Sequence, residues 1–148
     1  MLLPGHGARR SREQTGDLMK KSLWRLTIRG DFAAAHALRH YQGKCEDLHG
    51  HNYLVEMVVE GETLTPDTEL VADFSALKKE LRAELASIDH KYLNELPPFD
   101  VINPSSENLA RHLYGRMKER LAAMPVRMYS MTVGETPLQS ATYQEVDD

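Results

Sequence analysis

The chain has 148 residues, 41% of them hydrophobic and 27% charged, a size and balance that suit one domain with a real core. Its net charge of -4 excludes the broad basic footprint that nonspecific nucleic-acid binding requires, and no apolar run approaches the length of a bilayer span or a signal-peptide core. The single cysteine, Cys45, cannot close an internal disulfide and fits a reducing compartment, so a soluble, cytoplasmic protein without membrane or nucleic-acid partners is expected.

Residues 1–18 show neither helical nor strand periodicity, are rich in Gly, Arg and polar residues, and read as a disordered extension before one folded domain at 19–148. Arg9, Arg10, Arg12, Lys20 and Lys21 make the N-terminus basic and leave the remainder acidic, so an anionic substrate would need local donors or a metal ion. Trp24, Leu26 and Ile28 alternate with Arg25, Thr27 and Arg29, which predicts a half-buried strand running toward Phe32 and His36. His49 to Glu60 predicts a second strand, with Tyr53, Val55, Met57 and Val59 on one face and Leu54 and Val58 on the other. A sheet apolar on both sides needs cover on both, which points to an oligomer.

Asp73 is placed to cap a helix bearing Phe74, Leu77, Leu81, Leu85 and Ile88 and ending near Asp89 and His90. Pro97, Pro98 and Pro104 mark a loop; Ser105 or Ser106 then caps a second helix with Leu109, Leu113, Met117 and Leu121 on one side, and Pro125 follows its end. Two last strands are predicted at Val126 to Val133 and Ala141 to Val146, separated by Gly134, Glu135, Thr136 and Pro137. The order β-β-α-α-β-β reads as α+β with an antiparallel sheet.

His49 and His51 are two apart at the start of a strand, so their imidazoles share a face; His36, at the end of the preceding strand, can lie across from them. Three neutral imidazoles with an open fourth position suit a catalytic zinc ion; the plain alternative is three surface or core histidines. Cys45 could be a small buried hydrophobe, but in the polar loop GKCEDLHGH a thiol with its pKa lowered by a nearby cation is the better reading. Asp89 and His90 are either a carboxylate–imidazole relay or a histidine favoured by the helix C-terminus; a hydrogen bond between them requires the chain to turn there. His6, His40 and His112 read as structural or surface residues.

FAAAH at 32–36, CEDLHGHNY at 45–53, VADFSALK at 71–78, DHKYLN at 89–94, NPSSENLA at 103–110 and VGETP at 133–137 occur in that order. Together they resemble the 6-pyruvoyltetrahydropterin synthase and 6-carboxytetrahydropterin synthase family over about residues 24–146. The resemblance implies the T-fold, with two helices on one face of an antiparallel sheet and trimers or hexamers whose sheets form a barrel with active sites between subunits. It implies Zn2+ on His36, His49 and His51, Cys45 as the proton-transfer thiol, Asp89 with His90 as the second relay, and Glu135 as the pterin anchor. Ser106 and Glu107 match positions lining the same pocket, although Ser-Ser stands here where Thr is common.

The three residues between Cys45 and His49 are similar to the short spacing of the bacterial carboxy enzymes of queuosine (deazapurine) biosynthesis. The expected reaction is then cleavage of 7,8-dihydroneopterin triphosphate to 6-carboxy-5,6,7,8-tetrahydropterin, acetaldehyde and triphosphate. The alternatives are a pyruvoyl synthase, which stops before carbon–carbon cleavage, and a noncatalytic pterin- or metal-binding module. Lys44, Arg39 and the basic N-terminal arm are candidates for holding the triphosphate.

Overall fold

Strand β1 (Trp24–His36) pairs antiparallel with β2 (His49–Gly61) along its whole length, from Trp24 opposite Gly61 to His36 opposite His49. The computed structural model describes residues 20–43 and 47–148; the expected disordered extension 1–18, Lys44 and Cys45 lie outside the described residues. Strand alternation puts Ile28, Phe32, Ala34 and His36 of β1 with Tyr53, Val55, Met57 and Val59 of β2 on one buried face. Trp24, expected on that face, is 45% exposed at the sheet's end.

The opposite face is less apolar than its sequence implied. Leu54 is exposed there, but around it run cross-strand ion pairs, Arg25 to Glu60 at 3.2 Å, Arg29 to Glu56 at 3.0 Å and Arg127 to Glu60 at 2.8 Å.

Helix α1 (Phe74–Ala86) begins as expected, with Asp73 Oδ1 accepting the Ser75 N–H at 2.8 Å. Leu77, Leu81 and Leu85 are buried, whereas Phe74, counted on the same face, is half exposed. The helix stops at Ala86, earlier than predicted, so Ile88 packs in the core from outside it. His90 then takes a left-handed φ of 57°, and β3 (Lys91–Tyr92) pairs parallel with β1 at Ala34 and Ala35. This strand makes the sheet mixed, in the order β3-β1-β2-β4-β5, where an antiparallel sheet alone was expected. Two residues carry no periodicity, so only the tertiary pairing defines it.

A 3-10 turn at Leu93–Glu95 leads to the proline-rich loop, and α2 (Ser106–Arg120) follows. Of the two candidate serines Ser105 is the cap, its Oγ accepting the Asn108 N–H at 3.2 Å. Leu109, Leu113 and Met117 join the residues of α1 and the strands in one core. Between the helices the buried Glu84 carboxylate accepts from Arg116 at 2.6 Å and Arg120 at 3.1 Å. No helix among the described residues is long and apolar enough to cross a membrane.

Strand β4 (Arg127–Thr136) pairs antiparallel with β2 and with β5 (Gln139–Tyr143). Its end corrects the expected 134–137 turn: the strand continues through Gly134 and Glu135, and the reversal falls at Pro137 and Leu138. Gly134 pairs with Ser140 and Thr136 with Gln139, so Glu135 is the extra residue of a β-bulge.

Candidate metal centre and substrate pocket

The pairing of β1 with β2 builds the histidine cluster directly. His36 lies opposite His49 and Ala34 opposite His51, and all three rings lie on the helix-covered face. Ring centroids are 4.5 to 5.0 Å apart, and one ligand atom from each histidine falls within 4.8 Å of the others.

The outer nitrogens of two rings are already used. His36 Nδ1 lies 2.8 Å from the carbonyl oxygen of Pro104, and His49 Nδ1 lies 2.7 Å from that of Asp47. A carbonyl only accepts, so each Nδ1 carries the proton and each Nε2 presents a lone pair. These two Nε2 atoms are 3.0 Å apart. Two lone pairs at that distance repel unless a cation or proton lies between them. His51 Nε2 is buried and has no hydrogen-bond partner. Burial is the main cause that pushes His36 and His51 below the ordinary histidine pKa, which favours the neutral, ligating form. The donor set therefore fits a metal ion, with backbone carbonyls in the outer shell that orients ligating imidazoles.

Glu135 faces the cluster, with one carboxylate oxygen 3.8 Å from His36 Nε2 and the other 3.7 Å from His51 Nε2. The bulge aims it there: a bulged residue leaves the regular alternation, and the local bend re-directs its side chain. Glu135, Ser106 and Glu107 line one pocket of about 230 Å³ with Leu38, Gln139 and Ser140. The first three were expected together from the sequence; the other three were not.

Asp89 and His90 do form a pair. Because the helix has ended and His90 has a positive φ, Asp89 Oδ2 reaches His90 Nδ1 at 2.9 Å while Oδ1 accepts the Ala33 N–H at 2.9 Å. The Ala33 N–H, followed by His90, holds the Asp89 carboxyl below the usual range. The pair does not join the Glu135 pocket. The His90 side chain is 81% exposed and lines an open groove of about 500 Å³ with Ala33, Ala35, Gly50, Asn52 and His51, so the groove borders one ring of the histidine cluster.

Cys45 and Lys44 lie outside the described residues. Arg39, a candidate for the triphosphate, donates instead to the carbonyls of Phe99 at 2.8 Å, Ile102 at 3.1 Å and Asn94 at 3.4 Å, and works as a strut. His112 packs edge-on against Phe99, consistent with a structural role. Two neighbours of the cluster went unnoticed in the sequence. Tyr53, whose Oη lies 2.9 Å from His36 Nδ1, could have been found, since it is two residues past His51 on the same strand face. The Pro104 carbonyl left no signal at all.

The family model for 6-pyruvoyl tetrahydropterin synthase matches residues 25–146. A 6-carboxy-5,6,7,8-tetrahydropterin synthase of Synechocystis is 34% identical over 125 residues, covering 82% of this chain and 93% of the relative. A dihydroneopterin monophosphate aldolase of Pyrococcus furiosus is 36% identical over 97 residues, covering 66% and 77% respectively. The structure of Caenorhabditis elegans 6-pyruvoyl tetrahydropterin synthase superposes with a TM-score of 0.74 at 29% identity, covering 86% of this chain and 99% of that one.

Proposed function

The chain belongs to the 6-pyruvoyl tetrahydropterin synthase family, and within it we propose that the protein converts 7,8-dihydroneopterin triphosphate and one water into 6-carboxy-5,6,7,8-tetrahydropterin, acetaldehyde and triphosphate. The observation that carries the reading is the facing pair of His36 and His49 lone pairs, with the unpartnered His51 nitrogen and the Glu135 carboxylate beside them. His36, His49 and His51 would hold zinc, the usual ion for three imidazoles with an open position. Bound there, zinc would supply a Lewis acid for the hydroxyl oxygens of the substrate side chain.

The chain's own groups do the rest. Glu135 accepts two hydrogen bonds from the amino-pyrimidinone edge of the pterin, and Ser106 and Glu107 line the same pocket. Cys45, four residues before His49, moves a proton at the side-chain carbon. Asp89 fixes the His90 ring, which exchanges the second proton. The groove lined by His90 shares no residue with the Glu135 pocket, which supports a site completed by a neighbouring copy in a trimer or hexamer whose sheets form a barrel. The short Cys45-to-His49 spacing supports the carboxy enzyme of queuosine biosynthesis, and a lone cysteine fits a reducing, cytoplasmic compartment.

The Pyrococcus relative favours one other reading, a retro-aldol cleavage of the same side chain. Zinc-loaded protein incubated with dihydroneopterin triphosphate separates the possibilities. The proposal expects equal amounts of 6-carboxytetrahydropterin, acetaldehyde and triphosphate. A 6-pyruvoyl product without acetaldehyde identifies a pyruvoyl synthase, cleavage leaving a hydroxylated side chain identifies an aldolase, and binding without turnover identifies a noncatalytic module.

A further inference from the structure

Where β1 ends, the chain leaves the sheet at Ala37 and has no strand beside it among the described residues, yet its backbone groups are paired as if it did. The Ala37 N–H donates to Asn94 Oδ1 at 2.9 Å, and Asn94 Nδ2 donates to the Ala37 carbonyl at 2.8 Å. Two residues on, the Arg39 N–H donates to Asn103 Oδ1 at 2.9 Å, and Asn103 Nδ2 donates to the Arg39 carbonyl at 2.9 Å. In a β ladder alternate residues exchange both bonds with their partners; here two carboxamides take the partner strand's place. Only a short side chain with both a donor and an acceptor can do this, which asparagine has and aspartate and alanine lack.

The connection is tied in both directions. Arg39 sends its guanidinium back to the carbonyls of Asn94, Phe99 and Ile102, and Asn108 of α2 donates to the Asn103 carbonyl at 2.9 Å. The clamped residues flank what the site needs held. His36 immediately precedes Ala37, and Pro104, whose carbonyl takes the His36 Nδ1 proton, immediately follows Asn103. Leu38, between the two clamped residues, forms a wall of the Glu135 pocket.

We propose that Asn94 and Asn103 are positioning residues that act through the backbone of 37–39 and through Pro104 to hold the His36 ring with Nε2 facing the metal centre. The inference rests on the metal reading of the three histidines, and its mechanical part stands apart from it. Of the two partners of Nδ1, the Tyr53 hydroxyl sits on β2 and the Pro104 carbonyl on the loop; the carbonyl, which can only accept, holds the proton there while the loop stays registered against β1, and the two carboxamides set that register. Loss of either lets the carbonyl withdraw, so that the proton distributes over both ring nitrogens and metal affinity falls.

The test uses the full chain, 15N-labelled and stripped of metal with a chelator, and reads the His36 imidazole nitrogens by NMR above the pH at which the ring protonates. The wild type should show the Nδ1–H form alone, and N103D and N94D a mixture of the two. Cobalt(II) titration of the same proteins should show an affinity loss of about 10- to 100-fold in each variant, the usual effect of removing an outer-shell partner, with an altered visible spectrum. Variants that keep the wild-type ring form and cobalt affinity overturn the proposal. A wild type that binds no cobalt, but whose ring form depends on the two asparagines, sinks the metal reading and leaves the clamp standing. Should both variants fail to fold, exchange of the Asn94 and Asn103 carboxamide protons in the wild type decides: slow exchange supports the clamp, and exchange at the rate of an exposed amide overturns it.

Discussion

Gly134 has no side chain, yet it decides where Glu135 points. A Cβ built there would lie 3.0 Å from the Gln139 carbonyl oxygen and 3.1 Å from that of Thr136, with Ser140 Cβ at 3.4 Å, where ordinary contact begins. The two closest atoms are backbone, one across the β4–β5 ladder and one inside the bulge itself, so neither can rotate away. G134A must therefore open the bulge by a few tenths of an ångström. Overpacking of this kind costs about 1–3 kcal/mol, which for a chain of this size lowers the Tm by a few to about ten degrees. The catalytic effect follows from displacement of the Glu135 carboxylate. If a misplacement of about 1 Å costs about 100-fold, a shift of 0.3 to 0.5 Å costs roughly 4- to 10-fold in kcat/KM. Thermal unfolding, steady-state kinetics with dihydroneopterin triphosphate and metal analysis are measured together, with zinc content expected to stay unchanged because no histidine lies on β4. A G134A protein with wild-type Tm and kcat/KM would refute the idea that the bulge aims the carboxylate.

E135Q exchanges one of two charge-assisted acceptors for a donor, and pterin affinity in equilibrium dialysis should fall by about 10- to 100-fold, equivalent to about 1.5–3 kcal/mol; unchanged affinity removes Glu135 as the anchor. Zinc held by the folded state alone should raise the Tm with concentration, by about 2.7 kcal/mol of stability at 100 times its Kd, and a Tm indifferent to chelation and re-addition contradicts a metal site at the three histidines. For Glu84, burial raises the carboxyl pKa, but the hydrogen bonds from Arg116 and Arg120 outweigh it and leave the folded value below the ordinary 4.5. Its contribution is therefore complete above about pH 4.5 and lost as pH falls through the lower, folded value. E84Q should destabilise the protein at neutral pH by about 2 kcal/mol, below the roughly 3–5 kcal/mol of a fully buried pair because both arginines retain contact with water. Chemical denaturation across pH should show the wild type and E84Q converging in acid, and a constant gap between them would contradict the assignment.

The β1 and β2 strands, the Asp73 cap, the buried stripes of both helices and the joint placement of His36, His49 and His51 were legible in the sequence because each follows from a short-range period. Side chains two apart on a strand share a face whatever the rest of the chain does. The same locality explains what was misjudged. Gly134 has no side chain to carry a pattern and read as a turn; only pairing with β2 and β5 shows that the strand runs on and bulges. Strand β3 exists because His90 turns the chain against β1, and Arg39 looked like a free cation until the loop carbonyls of Phe99 and Ile102 closed around it. The apolar alternation of β2 gave no sign of the arginines from β1 and β4, distant in sequence, that lay ion pairs across the same face. Sequence thus determined which residue types could make the site and on which strand faces they lie. Tertiary structure decided which nitrogen of the His36 and His49 rings faces inward, because that choice depends on the Pro104 and Asp47 carbonyls, groups every residue possesses and no sequence pattern distinguishes.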